Sequence, residues 1–305
     1  MNETKVKRLR LDDVQGDPMF AEALSIWNQT VAASDAETGA SALAQICDPA
    51  TNLFHSDMNA NSVLGFRVKT LRQAFDLRQT RGEEIGNYPD PRYVDAILAP
   101  NYTVAAAENT PIFRRIMTPM VGSFAVYEGI LLPYFGKDGR TALSLSRLLY
   151  LADDVEIAAP VILTERERSC LEFLSSGLSA KQIAHALNTS KRIIEHDIES
   201  IKIKIQARNA SHAVAKGLFS YGVKAGPPAA TPDRTPLRSL TLRERQCLSL
   251  LTSGHSAKTI AESLSLSAKT VEKHVNSAKV KLGASKSAEL VAKGAAAAVS
   301  SLDGN

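Results

Sequence analysis

The densest chemistry in this chain sits near its C-terminus. In SAKTVEKHVNSAKVKL (267–282), Lys269, Lys273 and Asn276 share one helical face with Glu272 beside them, opposite an apolar stripe of Val271, Val275, Ala278 and Leu282. Ammonium, amide and carboxylate groups on one face supply hydrogen-bond donors and acceptors, which suits recognition and not bond making. Catalytic groupings are missing: His55, His185, His196, His212, His255 and His274 are scattered, and no nucleophile motif surrounds a serine or cysteine. No enzyme activity, metal or cofactor is expected. Neither GxGxxG nor GxxxxGK[ST] is present, which disfavours dinucleotide and P-loop sites.

The elements that position this face are repeated. Leu163–Gly217 aligns with Leu240–Gly294 at a constant offset of 77 residues, without a gap, with 26 identities in 55 positions. Each copy opens on a T-x-x-E capping box, Thr164 with Glu167 and Thr241 with Glu244, and the helix it starts stops at Gly177 or Gly254. Serines 179 and 256 then cap a second helix, Ser190 and Ser267 a third, and a fourth follows near 210–219 and 287–299. In the first copy the buried stripe of the third helix is Ile194, Ile198, Ile201 and Ile205. Two short helices joined by a tight turn, the second exposing basic and amide groups, make a helix-turn-helix that can enter a major groove.

The second copy, LTLRERQCLSLLTSGHSAKTIAESLSLSAKTVEKHVNSAKVKLGASKSAELV, resembles the four-helix DNA-binding domain of the LuxR/GerE family of bacterial transcription regulators. The S-x-x-T-V-x-x-H-x₆-K-L run from Ser267 to Leu282 carries the likeness. The resemblance implies that Glu272, Lys273 and Asn276 face base edges, and that Thr270, His274 and Lys279 lie nearer phosphates, helped by Lys258 and the helix N-terminus. The first copy departs from this pattern. Ile193 stands where Thr270 does, Asp197 where His274 does, and Glu195, His196, Asp197 and Glu199 make its exposed face. Its third helix (190–205) nets +1 against +3 for 267–282. Weaker or different DNA binding is expected there, or a packing or dimerisation role. Lys181, Arg192, Lys202 and Lys204, beside His196 and Glu199, are its candidate DNA contacts. Between the copies, residues 222–237 hold four prolines and two glycines and read as a semi-extended linker. Two arrangements are open: one chain sets both helix-turn-helices on adjacent half-sites, or two chains pair through the fourth helices of their second copies.

The charge divides in the same place. The net +4 averages −5 over residues 1–160 and +9 over 161–305, so a polyanion partner belongs to the second half. In the acidic half, PMFAEALSIWNQTVAA (18–33) puts Phe20, Leu24, Trp27 and Val31 on one helical face, read as core or a dimer seam. Residues 87–100 read as a turn, a short helix and a break, and 113–118, 124–135 and 141–151 as strands, the last two joined at Lys137-Asp138-Gly139. Helices followed by an antiparallel meander give an α+β domain. The tail YEGILLPYFGKDGRTALSLSRLLYL resembles the closing hairpin of a PAS-like sensory domain, which implies a pocket on the sheet's inner face with Phe113, Ile116, Phe124, Val126 and Tyr127 as candidate walls. A lactone ligand is not expected, because no Trp follows Asp17-Pro18, Asp48-Pro49 or Asp90-Pro91. A phosphoreceiver is not expected either: Asp12-Asp13 mimics its acidic pair, but the strand–helix alternation is missing.

The expected organisation is therefore an α+β PAS-like sensory domain over 1–155, all-α four-helix helix-turn-helix domains over 160–221 and 238–300, and the linker. No run of eighteen apolar residues occurs and the N-terminus is charged, so a cytoplasmic, nucleoid-associated protein with no membrane partner is expected. Cys47, Cys170 and Cys247 are read as reduced small hydrophobes. The function expected is promoter binding by a homodimer under control of a small-molecule or protein effector. The alternative is a protein-interaction regulator whose first helix-turn-helix does not touch DNA.

Overall fold

Local capping signals start the first helices. The structure, a computed structural model, describes residues 4–9, 17–74, 84–120, 123–137, 139–155, 161–224 and 236–303. The Asp17 carboxylate accepts from the Phe20 N–H at 3.3 Å and Pro18 occupies the first turn of α1 (Pro18–Thr30). Asp35 caps α2 (Ala36–Ile46) through the Thr38 N–H at 2.9 Å. Six strands follow in one sheet, β1 (Lys5–Arg8), β2 (Thr51–Asp57), β3 (Arg67–Arg72), β4 (Ile112–Met120), β5 (Ser123–Gly136) and β6 (Gly139–Asp153), in the order β1-β4-β5-β6-β2-β3. The β2–β6 pairing is antiparallel, with Leu53 opposite Leu145. The chain divides into two compact units, Thr4–Val121 with Val126–Leu148, and Gly122–Ala125 with Leu149–Asn305.

Both faces of the sheet in the first unit are covered, which is why β5 reads as nearly continuous burial. On one face α1 and α2 pack over Leu53, Phe113, Ile130, Leu132 and Leu143. Trp27 packs at the edge of this cluster and its indole N–H donates to the Pro133 carbonyl at 2.7 Å, so the Phe20–Leu24–Trp27–Val31 stripe is core in this unit. A buried charge cluster lies on the same face. Arg147 bonds Asp17 and Glu128, the latter at 3.0 Å, Arg115 donates to Glu128 at 2.9 Å, and the Arg147 guanidinium lies 4.8 Å from the Phe20 ring centre. The opposite face is roofed by Pro91–Glu108.

That roof departs from the sequence reading. A helical turn (Pro91–Tyr93), a π turn (Val94–Leu98) and α3 (Ala99–Glu108) run on without the break expected near residue 100. Pro100 lacks an N–H, and the π turn before it is the local adjustment that lets the helix continue. Four elements were not read from sequence at all: β1, β2, β3 and α2. The Asp138 turn position, Asp12-Asp13 and most of the 222–237 linker lie outside the described residues.

In the second unit the repeat folds twice into the same four helices. The first copy gives α4 (Glu165–Ser175), α5 (Ala180–Ala186), α6 (Lys191–Lys204) and α7 (Ala210–Ser220). The second gives α8 (Leu242–Thr252), α9 (Ala257–Leu264), α10 (Ala268–Leu282) and α11 (Ser287–Asp303). Both T-x-x-E capping boxes form, and Ser179, Ser256, Ser190 and Ser267 all cap as expected. Gly177 and Gly254 have φ of +82° and +80°, the left-handed stop that glycine reaches at least cost. Among the described residues, no helix is long and apolar enough to cross a membrane.

Candidate nucleic-acid interface

The α10 stripe is buried as its spacing predicts: Val271, Val275, Ala278 and Leu282 face inward. Lys258, Lys269, Glu272, Lys273 and Asn276 are exposed, while Thr270, His274 and Lys279 are half-buried. Among the described residues, none of Lys258, Lys269, Lys273 and Lys279 is held in an ion pair, so their charge is available to an incoming polyanion. Thr270 has a local task as well, its hydroxyl lying 2.8 Å from that of the cap residue Ser267. Glu272, Asn276 and Lys279 also edge a groove of about 460 Å³ with His255, Ser256 and Asn209. The Asn209 contribution, from the first copy, had no signal in the sequence.

What fixes the pose of α10 is a buried carboxylate. Glu244 closes the capping box on the Thr241 N–H at 2.7 Å and also accepts from Ser277 at 2.6 Å and from the Lys281 ammonium at 2.7 Å, so one side chain ties the first helix of the copy to its third. The first copy repeats this with Glu167, Ser200 at 2.9 Å and Lys204 at 2.8 Å. Lys204 is thereby engaged within the fold. Burial pushes the Glu167 carboxyl up, and the Lys204, Thr164 and Ser200 donors outweigh that and hold it at about 2.

The acidic face expected on α6 is also altered. Asp197 is buried, not exposed, and receives a bidentate pair from Arg166 at 2.7 and 2.9 Å. Its position inside the copy follows from a partner on another helix 31 residues away, which no local spacing reveals. Glu195 pairs with Lys191 at 2.9 Å and Glu199 with Lys202 at 2.6 Å. Arg192, His196 and Lys181 remain exposed, and Lys202 is half-buried. The surface of α6 therefore alternates acids and bases that largely neutralise one another.

The fourth helices pack together inside the chain. Residues 211–219 of α7 are buried all round, between α4 of its own copy, α11 of the other, and the strand ends of the same unit, where Phe219 meets Phe124 at 4.3 Å and Tyr150 at 6.0 Å between ring centres. The contacts between copies are reciprocal. Arg208 and Asn209 donate to the Ser253 and Gly254 carbonyls at 2.5 and 2.8 Å, and a Cβ on Gly254 would lie 2.8 Å from His212 Cβ. At the positions shifted by 77, a Cβ on Gly177 would lie 2.5 Å from Glu289 Oε2 and 3.3 Å from Ser285 Oγ. Of the two arrangements left open, pairing of fourth helices is seen here within one chain, between α7 and α11.

In the sheet unit, a cavity of about 90 Å³ lies under the Pro91–Glu108 roof. Of the candidate wall residues, Ile116 and Tyr127 line it; Phe113, Phe124 and Val126 do not. Side chains alternate across a strand, so Phe113 and Ile116, an odd number apart, point to opposite faces. Phe113 packs edge-on against Phe20 at 6.5 Å, and Phe124 joins Phe219. The walls missed in the sequence come chiefly from the roof and β2: Tyr88, Tyr93, Ile97 and Tyr102, with Asn52 and Phe54. Tyr93 and Tyr127 hydroxyls meet at 2.7 Å, and Arg114 donates to Asn101 at 2.7 Å on the wall. Burial raises the Tyr93 phenol to about 12 and Tyr127 well above its ordinary value, so both stay neutral hydrogen-bonding groups. The three cysteines are free and buried, and no cluster of metal-ligating side chains occurs among the described residues.

Comparison with known proteins agrees with the repeat. Residues 161–216 and 238–293 each match the model for bacterial regulatory proteins of the luxR family. No curated protein matches the chain. Among solved structures, a phage VqmA in complex with DPO is 24% identical over 50% of this chain and 75% of that one, with a TM-score of 0.21. The Vibrio cholerae VqmA dimer without target DNA is 16% identical over 48% and 72%, also at 0.21. VqmA bound to DPO is 16% identical over 55% and 80%, at 0.22. Superpositions this loose carry nothing about ligand or assembly across to this chain. The two helix-turn-helix copies in its C-terminal half are thus each similar, over most of their length, to the luxR family of bacterial regulatory proteins.

Proposed function

We propose that the protein is a sequence-specific DNA-binding transcription regulator whose sheet unit senses a small molecule. The observation that supports this reading best is α10: an apolar stripe fully seated in its copy, with unpaired lysines and Asn276 left on the opposite face. Glu272, Lys273 and Asn276 read base edges; Lys258, Lys269, Thr270, His274 and Lys279 engage or neighbour phosphates. Gel-shift titration tests the assignment. Lys273→Ala and Asn276→Ala are each expected to cost about 1–3 kcal/mol on the preferred duplex and little on others. Lys279→Ala should weaken all duplexes alike and reduce the salt slope by about 1. Equal binding of one duplex by wild type and Lys273→Ala/Asn276→Ala sinks the base-reading role.

The sensory half of the proposal rests on the roofed cavity between helix and sheet, which supports the PAS-like reading. At about 90 Å³ it is far smaller than the roughly 300–1,000 Å³ of drug-sized sites, so the part of an occupant that it encloses is compact. Solvent extraction of the purified full chain followed by mass spectrometry should release such a compound from wild type, and less of it from Ile97→Phe, which fills the cavity. Equal recovery from both proteins removes the cavity as its site.

A further inference from the structure

The two helix-turn-helix copies meet through the same patch used twice. Gly254 of the second copy nests on Arg208 and His212 of the first, and Gly177 of the first nests on Ser285 and Glu289 of the second. Every position in one contact is its counterpart plus 77, and α7 lies on α11, each the fourth helix of its copy. Reciprocity of this kind is the mark of an isologous interface, one built around a two-fold axis. Here the axis is approximate and lies inside a single chain.

A two-fold rotation preserves height along its axis. Whatever direction the exposed face of α10 has along that axis, the exposed face of α6 has as well, so a surface meeting one reading helix meets both. Duplex DNA carries two-fold axes perpendicular to its length, and paired helix-turn-helices use them to occupy half-sites about 34 Å apart. The two helices are nevertheless unlike. Toward the same surface α10 presents Lys269, Glu272, Lys273 and Asn276, and α6 presents Arg192, Glu195, His196 and Glu199, so that Glu195 and Glu272 correspond and the helices differ at His196 for Lys273 and Glu199 for Asn276. Burial of Asp197 under Arg166 removes from α6 the carboxylate that most opposed a phosphate backbone.

We infer that one chain occupies a complete operator alone, as two inverted half-sites of different sequence, one read by α10 and the other by α6. Asparagine and lysine on α10 select adenine and guanine, while the carboxylates on α6 accept from cytosine N4 in the other half. The inference rests on the DNA-binding reading of α10 and adds the second half-site, its polarity and the stoichiometry.

Selection of the full chain on a randomised duplex library tests it, with the mass of the selected complex measured in solution. The expected motif has two unlike halves, inverted, with centres about 10 bp apart, bound by one chain of 32.8 kDa. Glu195→Ala/Glu199→Ala, both at exposed positions, should relax base preference roughly tenfold in one half only, and Asn276→Ala should do so in the other. The helical circular dichroism of each variant should match wild type. A single half-site, a direct repeat, a true palindrome holding two chains, or an α6 variant that leaves both halves unchanged overturns the inference while DNA binding stands. Failure to enrich any sequence overturns the DNA-binding reading itself.

Discussion

Arg147→Ala is expected to destabilise the sheet unit severely. The Arg147 guanidinium is 8% exposed and is shared between Asp17 and Glu128, which are 6% and 0% exposed, so its loss strips a counter-charge from two buried carboxylates at once. Removing one partner of a buried pair costs about 3–5 kcal/mol, because the charge left behind has been taken out of water without compensation. That is a large share of the roughly 5–15 kcal/mol that holds a domain folded. The effect reaches the N-terminus of α1, since Asp17 is also its cap. Trp27, the only tryptophan, packs against this unit's core, so its fluorescence in a urea titration follows the unit by itself. A midpoint shift equivalent to less than about 1 kcal/mol would contradict the account. Arg147→Lys should fall between the two, as it keeps the charge and loses the forked geometry that serves two acceptors.

Acid should dismantle the helical unit through its three depressed carboxyls. Glu167 and Glu289 are held at about 2, and Glu244 is lowered too; burial opposes ionisation in each case and is outweighed by the Lys204, Lys293 or Lys281 ammonium and by hydroxyl and backbone donors. A carboxyl depressed in the folded state adds stability that is complete above its ordinary value near 4.5 and is lost as pH falls toward 2. The helical signal should therefore hold at neutral pH and lose thermal stability progressively between about pH 4.5 and 2. Glu244→Ala reproduces part of this at pH 7, at a cost of roughly 2–4 kcal/mol, from a lost cap and a lost charged hydrogen bond. Glu244→Gln should be milder, because glutamine completes a capping box, as Gln182 does with Ser179 in this chain. An acid melting profile that is flat across this window would remove the carboxyl networks as the link between first and third helices.

What could be read in the sequence was what is local. Caps, glycine stops and the i, i+4, i+7 stripes concern neighbours along one helix, and all of them stand where their spacing puts them. Elements whose reason is distant were lost. β2 is TNLFHSD, buried from Thr51 to Phe54 between helices on one face and a roof on the other, so it shows no polar alternation to betray a strand. β3 is RVKTLR, mostly exposed at the sheet edge, and looks like a solvated loop. Strand parity alone separates Phe113 from Ile116. The burial of Asp197 has no local sign, since its charge partner lies on α4. Much of the pairing of α7 with α11 was equally hidden. ASHAVAKGLFS has small residues all round, the pattern of a helix wanted on several sides, but composition does not say by what.

The covered α7–α11 seam changes how occupancy should respond to protein level. Two separate chains must first find each other, so a dimeric binder loads its site as the square of concentration when dimers are scarce. In the inferred single-chain mode the second reading helix arrives already tethered, at an effective concentration set by the fold and not by expression. Loading of the site then rises with the first power of copy number, and dilution weakens it without a threshold.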